Sequence, residues 1–184
     1  LNEKKFSGAV LGRSSAGGAG KLFSFPVFTT TFPEGVLIME YRLMTIDDYP
    51  KVWDLWMSSK NMGFNDKDDS PEGIARYLKR NPTSSFVAIQ DDRVVGVILS
   101  GHDGRRGFIH HMAVAEDCRR QGIAKTLLSM ALSALMEDGI TKVALLVFKY
   151  NDVGNPFWES QGFTVREDLN YRNKALVELT RIDT

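Results

Sequence analysis

The densest run of chemistry-bearing residues is His110-His111-Met112-Ala113-Val114-Ala115-Glu116-Asp117-Cys118-Arg119-Arg120-Gln121-Gly122-Ile123-Ala124. An apolar stretch leads into a polar turn, and the turn leads into a sequence of helical period. The first N–H groups of a helix have no internal partners and lie at the positive end of its dipole. Arg119 and Arg120 add two cations there, which is unfavourable unless an anion arrives. Gly122 and the small Ala124 leave the backbone open to close approach. The pattern suits a polyanion such as a pyrophosphate. On the residues alone an equal alternative stands: Glu116 and Asp117 neutralise the arginines, and the turn is merely exposed.

Other candidates carry less. Cys118 has the chemistry of a nucleophile, but a small buried thiol is the commoner role for a lone cysteine. His102, His110, His111 and Cys118 are expected to hold no metal, because neighbours on a strand point to opposite faces and His110 and His111 cannot then share an ion. No G-x-S-x-G elbow and no H-E-x-x-H occurs, so hydrolase chemistry has no support. Asn65-Asp66-Lys67-Asp68-Asp69-Ser70 is acidic. Its charge would suit a cationic amine, but a solvated loop that caps a helix is the commoner role for such a run. Gly20-Lys21 fails as a phosphate loop, since Leu22 stands where Ser or Thr would hold magnesium.

The elements that must position these residues come from periodicity. Thr45-Ile46-Asp47-Asp48 is a capping box that opens a helix through Met57, and Ser70-Pro71-Glu72 opens a second that runs to about Arg80. Phe86–Ile89 and Val94–Leu99 are short apolar strands around a turn at Asp91-Asp92-Arg93, and Gly107–Ala115 is their neighbour. From Gly122 the period becomes helical: Ile123, Leu127, Leu128, Ala131, Leu132 and Leu135 form one stripe that ends at Gly139. Lys142–Phe148 is a buried strand, parallel to Gly107–Ala115 if the helix is a crossover. A short helix around Pro156–Gln161 and strands near Phe163–Arg166 and Lys174–Leu179 complete a mixed α/β (α+β) sheet with helices on both faces.

The 184 residues suffice for one buried core, and 23 Lys+Arg balance 23 Asp+Glu. That balance argues against nucleic acid as the main partner. No apolar run approaches the ~20 residues that span a bilayer, so no membrane partner is expected. The single cysteine excludes an internal disulfide framework and fits a reducing compartment, hence a cytoplasmic location. Residues 1–38 read differently, with the tract Ser14-Ser15-Ala16-Gly17-Gly18-Ala19-Gly20. Such residues gain too little from burial to offset the entropy of ordering them. This stretch is expected to be a Gly/Ser-rich leader outside the core; a targeting segment is the alternative, given Lys4, Lys5, Arg13 and Lys21 with no acid between Glu3 and Glu34. Met39 has the look of a natural start, and residues 39–184 are expected to form the domain.

Arg119-Arg120-Gln121-Gly122-Ile123-Ala124 resembles the Q/R-x-x-G-x-G/A signature of the GNAT superfamily of N-acetyltransferases, between the strand end Met112-Ala113-Val114 and a long apolar helix. Asn151 and Phe157-Trp158-Glu159-Ser160-Gln161-Gly162-Phe163 resemble the family's closing N…FYEKLGF segment. Two motifs in the right order cover the core from Met39 to Thr184. The resemblance implies a GNAT-like fold, a largely antiparallel central sheet with one splayed parallel strand pair. It implies direct transfer of an acetyl group from acetyl-CoA, the donor co-substrate, to a primary amine of a small molecule or protein, without a metal. Backbone groups of Met112, Ala113 and Val114 would pair with the pantetheine arm. The turn of Arg119, Arg120, Gln121, Gly122, Ile123, Ala124 and Lys125 would hold the pyrophosphate. An N–H near Met112 would stabilise the oxyanion, and Asn151 would reach the pantetheine or a water beside it.

The family often carries a tyrosine at the Trp158 position, whose hydroxyl protonates the leaving thiolate. An indole N–H cannot do so at neutral pH, although a thiolate of pKa near ~8.5 leaves tolerably unaided. Trp158 is expected to pack on the cofactor tail or fill the core, with Tyr171 as a substitute acid or an ordinary strand tyrosine. A non-catalytic acyl-CoA-binding or sensing module is therefore the alternative function. For the enzyme, His110 is the expected general base, and a partly buried structural histidine with solvent-relayed deprotonation stands as an equal alternative. Unbroken alternation puts it on the side of Met112, and a bulge displaced by one residue transfers the role to His111. The acceptor amine is not identified, and a homodimer is compatible with this reading.

Overall fold

Each helix start predicted from capping residues is a start in the computed structural model, which describes residues 27–32 and 35–184, with side chains from Met39 onward. Strand β1 (Val27–Phe32) pairs antiparallel with β2 (Gly35–Leu43). Pairing thus begins upstream of Met39, within the stretch read as a leader, whose Gly/Ser tract lies outside the described residues. A 3-10 turn over Ile46–Asp48 leads into α1 (Tyr49–Ser58), and the Thr45 N–H donates to Asp48 Oδ2 at 2.8 Å. Asp48 also accepts from both terminal nitrogens of Arg42, at 2.7 and 2.6 Å, which ties the end of β2 to the start of α1. Burial pushes the Asp48 pKa up, but the bonds from Arg42 and Thr45 outweigh it and hold the carboxyl below its ordinary value.

The short β3 (Gly63–Asn65) precedes α2 (Pro71–Arg80), where Ser70 Oγ accepts from the Gly73 N–H at 3.1 Å and Pro71 occupies the first helical position. Strands β4 (Phe86–Gln90) and β5 (Arg93–His102) meet at Asp91-Asp92, with φ of 50° and 59°. This left-handed pair is the geometry that a two-residue hairpin requires. Then follow β6 (Gly107–Val114), α3 (Ile123–Glu137), β7 (Val143–Leu145), α4 (Gly154–Ser160) and β8 (Arg181–Asp183).

The main sheet has the order β1-β2-β4-β5-β6-β7, antiparallel throughout except for the parallel pair β6–β7. On one face α1 and α2 bury Val52, Leu55, Trp56 and Ile74 against Val87, Val97, Leu99 and Ala113. On the other, Ile123, Leu127, Leu128 and Ala131 of α3 pack on Ala88, Ile98 and Ile109, with Phe157 and Trp158 of α4 alongside. Each fully buried large aliphatic side chain here stabilises the fold by about 1.5–3 kcal/mol. The mixed fold with helices on both faces is the one expected.

The C-terminal third departs from expectation. Strand β7 is confined to Val143–Leu145 rather than Lys142–Phe148. No strand forms at Phe163–Arg166 or Lys174–Leu179, where Val165 is 74% and Leu176 90% exposed. Charges at Arg166, Glu167, Asp168, Arg172 and Lys174 break the one-sided alternation that a half-buried strand needs. The only strand after α4 is β8, which pairs with β3 in a separate two-stranded sheet.

Candidate functional site

The bulge in β6 determines where its histidines point. Leu99 pairs with His111 and Ser100 with Ile109, so His110 is the extra residue. Ile109, Met112 and Val114 pack toward α3 and Ala113 toward α1 and α2. The His110 ring lies 5.1 Å from Tyr77 of α2, and the His111 ring lies 5.0 Å from Trp56 of α1. Both histidines therefore face the α1–α2 side. This corrects two expectations: His110 does not share a face with Met112, and these adjacent residues do not point to opposite faces. Among the described residues no cluster of three or more metal-ligating side chains forms.

The two rings have different surroundings. His111 Nε2 is 2.7 Å from Asp69 Oδ1, and its ring is flanked by Phe64 and Trp56. Asp69 is fixed in turn: its Oδ2 accepts from the Asn65 N–H at 2.7 Å, and its carbonyl accepts from Tyr49 Oη at 2.9 Å. Asn65 Oδ1 accepts from the N–H groups of Lys67 and Asp68, closing the loop beneath. A Cβ on Gly73 would stand 2.2 Å from the Asp68 carbonyl oxygen, so the loop reaches this position only because residue 73 is glycine. His110 instead opens onto solvent between Phe108 and Tyr77, and among the described residues its ring makes no hydrogen bond. Desolvation by the surrounding walls, with a smaller contribution from His111, lowers its pKa below the ordinary histidine value.

Strands β6 and β7 pair only between Gly107–Ile109 and Val143–Leu145, and then part. The Ala115 N–H donates to the Val95 carbonyl at 2.9 Å. By the alternation of antiparallel bonding, the main-chain groups of Met112 and Val114 face away from β5, into the gap. Arg119 Nε donates to the Val114 carbonyl at 3.3 Å, joining the strand end to the turn.

Within that turn Arg120 has φ 62° and Gly122, the residue capping α3, has φ 87°. Left-handed residues here turn the first free N–H groups of α3 outward. Asp117 is held by Arg93, at 2.6 and 2.8 Å, and is not available to the turn arginines. Among the described residues neither Arg119 nor Arg120 has an ion pair. The reading in which neighbouring acids neutralise them is thus not the arrangement adopted. Cys118 is buried, and burial pushes its thiol pKa up, which opposes a nucleophilic role.

A cleft of about 1880 Å³ joins these parts. His110, His111, Met112, Ala113, Val114, Arg119, Arg120, Gly122, Ile123, Ala124, Lys125, Asn151 and Trp158 all line it; Gln121 does not. Asn151 Oδ1 accepts from the Gly154 N–H at 2.7 Å and so caps α4. Trp158 packs edge-on against Phe157 and Phe163. Tyr171 also lines the cleft, 66% exposed and outside any strand. No local pattern signals that Asp69 meets His111 or that Tyr77 meets His110, since both contacts depend on how α2 docks.

Residues 49–163 match the family described as Acetyltransferase (GNAT) family. An acetyltransferase of Sodalis glossinidius (strain morsitans) is 31% identical over 140 residues, covering 76% of this chain and 97% of its own. Among solved structures, Ard1 from Thermoplasma volcanium superposes with a TM-score of 0.62 at 24% identity, over 70% of this chain and 84% of that one. The paia N-acetyltransferase from Thermoplasma acidophilum, in complex with coenzyme A, gives 0.59 at 19% identity, over 70% and 91%. These two likenesses concern the fold.

Proposed function

The chain belongs to the acetyltransferase (GNAT) family and is an acyltransferase that moves an acetyl group from acetyl-CoA to an amine; from that premise we propose that the cleft beside β6 carries the reaction and that His110 is its general base. The observation that carries this reading is the gap between β6 and β7, which opens after Ile109 and Leu145 and ends at the Arg119–Lys125 turn.

Acetyl-CoA, when bound, supplies a thioester-activated acetyl group. The turn residues fit its pyrophosphate: nothing stands within 4 Å of where a Gly122 Cβ would project, and the arginines are unpaired among the described residues. Arg119, Arg120, Gly122, Ile123, Ala124 and Lys125 hold that group, with Gln121 contributing its main chain. The main-chain groups of Met112 and Val114 orient the arm, Ala113 anchors the strand beneath, and the Met112 N–H supports the developing oxyanion. Asn151 and Trp158 form the far wall.

An acceptor amine is mostly protonated at pH 7, so a group beside the gap must take its proton. His110 has the required exposure, and a pKa below the ordinary histidine value keeps it neutral at that pH. Trp158 offers no acidic hydroxyl, and Tyr171 is the proposed substitute for protonating the leaving thiolate. Residues 39–184 are the proposed domain and 1–38 the proposed leader. The buried lone Cys118 supports a cytoplasmic location; among the described residues no helix is long and apolar enough to cross a membrane. A homodimer is compatible with this proposal.

Release of free CoA thiol from acetyl-CoA in the presence of an amine panel tests the function. Turnover with an amine supports the transferase, and tight CoA binding without turnover on any amine returns the sensing module.

A further inference from the structure

We propose that the acceptor is a small primary amine that also carries an anionic group, a phosphate or a carboxylate, and that Arg76 and Arg80 of α2 recognise that group. The proposal rests on the transferase reading of the cleft and adds its substrate class. Gly73, Arg76, Tyr77 and Arg80 follow the i, i+3, i+4, i+7 spacing of one helix face, and all four line the cleft. Tyr77, at the middle of that face, touches the His110 ring at 5.1 Å. Arg80 lies one turn beyond Tyr77 and Arg76 one turn beyond Gly73 on that face, so both charges stand on the wall of the cleft that meets His110 through Tyr77.

The charge balance of this wall favours an anion. Lys79 and Lys60 add to the two arginines, and none of the four has an ion pair among the described residues, not even Arg76 with Glu72 one turn earlier. The carboxylates at this end, Asp68 and Asp69, are already engaged. Both oxygens of Asp69 are taken by His111 and the Asn65 N–H, and Asp68 Oδ2 accepts from Asn65 Nδ2 at 3.0 Å. Asp69 is thereby turned inward while the exposed Asp68 shares the lining, so Lys60, Arg76, Lys79 and Arg80 outnumber the two acids at this end, and a wall of net positive charge concentrates anionic ligands. A guanidinium pair also matches the planar or tetrahedral oxygens of a carboxylate or phosphate.

The test measures thiol release from acetyl-CoA by the full chain with O-phosphoethanolamine, β-alanine, ethanolamine and putrescine as acceptors. One or both anionic amines are expected to exceed ethanolamine and putrescine at least tenfold in kcat/KM. The phosphate and carboxylate arms tell the two sources apart. Arg76→Gln with Arg80→Gln should reduce that preference about tenfold, and Arg76→Glu with Arg80→Glu should turn it toward putrescine, with acetyl-CoA affinity unchanged in both. A preference for ethanolamine or putrescine in the wild type, no turnover of either anionic amine, or a preference unmoved by both double variants overturns the proposal. Acetyl-CoA binding by calorimetry is the separate readout: its loss in the wild type would overturn the transferase site itself.

Discussion

His111 Nε2 and Asp69 Oδ1 lie 2.7 Å apart, joining the strand that carries the bulge to the loop that starts α2. The contact fixes one of two adjacent histidines and leaves the other, His110, free toward the cleft. Replacing Asp69 by Ala leaves the Asn65 N–H and the His111 ring without their acceptor. Burial of such unmet groups costs about 1–3 kcal/mol. Urea unfolding should show a loss of that size, and a loss under about 0.5 kcal/mol would deny the contact its structural part.

Gly73→Ala places a methyl 2.2 Å from the Asp68 carbonyl oxygen and 2.4 Å from that of Lys67, both main-chain atoms. The loop must shift, and Asp69 with it. The expected outcome is a loss of about 1 kcal/mol or more, together with altered amide chemical shifts at His111 in a nitrogen–proton correlation spectrum. An unperturbed His111 amide would show that the loop tolerates the methyl.

The lowered pKa of His110 has a definite sign in kinetics. A base must be unprotonated to act, so kcat/KM should fall with acid only below the ordinary histidine value of about 6.5. His110→Ala should remove that limb, and His111→Ala should keep it. The same shift acts on stability: below about 6.5 the unfolded chain binds a proton that folded His110 resists, so this residue costs stability progressively as pH falls toward its folded pKa. A limb that survives His110→Ala and vanishes in His111→Ala would transfer the role to the neighbour.

How much of this was readable in advance depended on whether the signal was local. Capping at Thr45 and Ser70 and the period change at Gly122 are set by near neighbours in sequence, and the parallel strand pair follows from the crossover helix between its strands; each is present in the fold. The turn before α3 was legible as a pattern, but its electrostatics were not, because Arg93, the partner of Asp117, arrives from a different strand. The direction of the histidines failed for a related reason: alternation holds until a bulge, and only the register of β5 locates the bulge at His110. At the C-terminus, alternating apolar residues suggested strands that their intervening charges leave exposed.

Truncation to residues 39–184 tests the proposed domain. Strand β1 lies at the edge of the sheet and pairs with β2 alone. Its removal exposes an edge without opening either helix-packed core, so the melting temperature should change by less than about 4 °C, the equivalent of roughly 1 kcal/mol for a chain of this size. A larger drop, or insoluble protein, would place the upstream strand within the core unit.

Binding of acetyl-CoA to the wild type and to Gly122→Val, followed by calorimetry, tests the central claim most directly. The φ of 87° at Gly122 disfavours any side chain, and a β-branched one most, while the added atoms enter the open space assigned to the pyrophosphate. The account predicts micromolar-class binding by the wild type and at least a hundredfold loss in a variant that still unfolds cooperatively. Equal affinity in the two folded proteins would contradict it and move the acetyl-CoA site away from this turn.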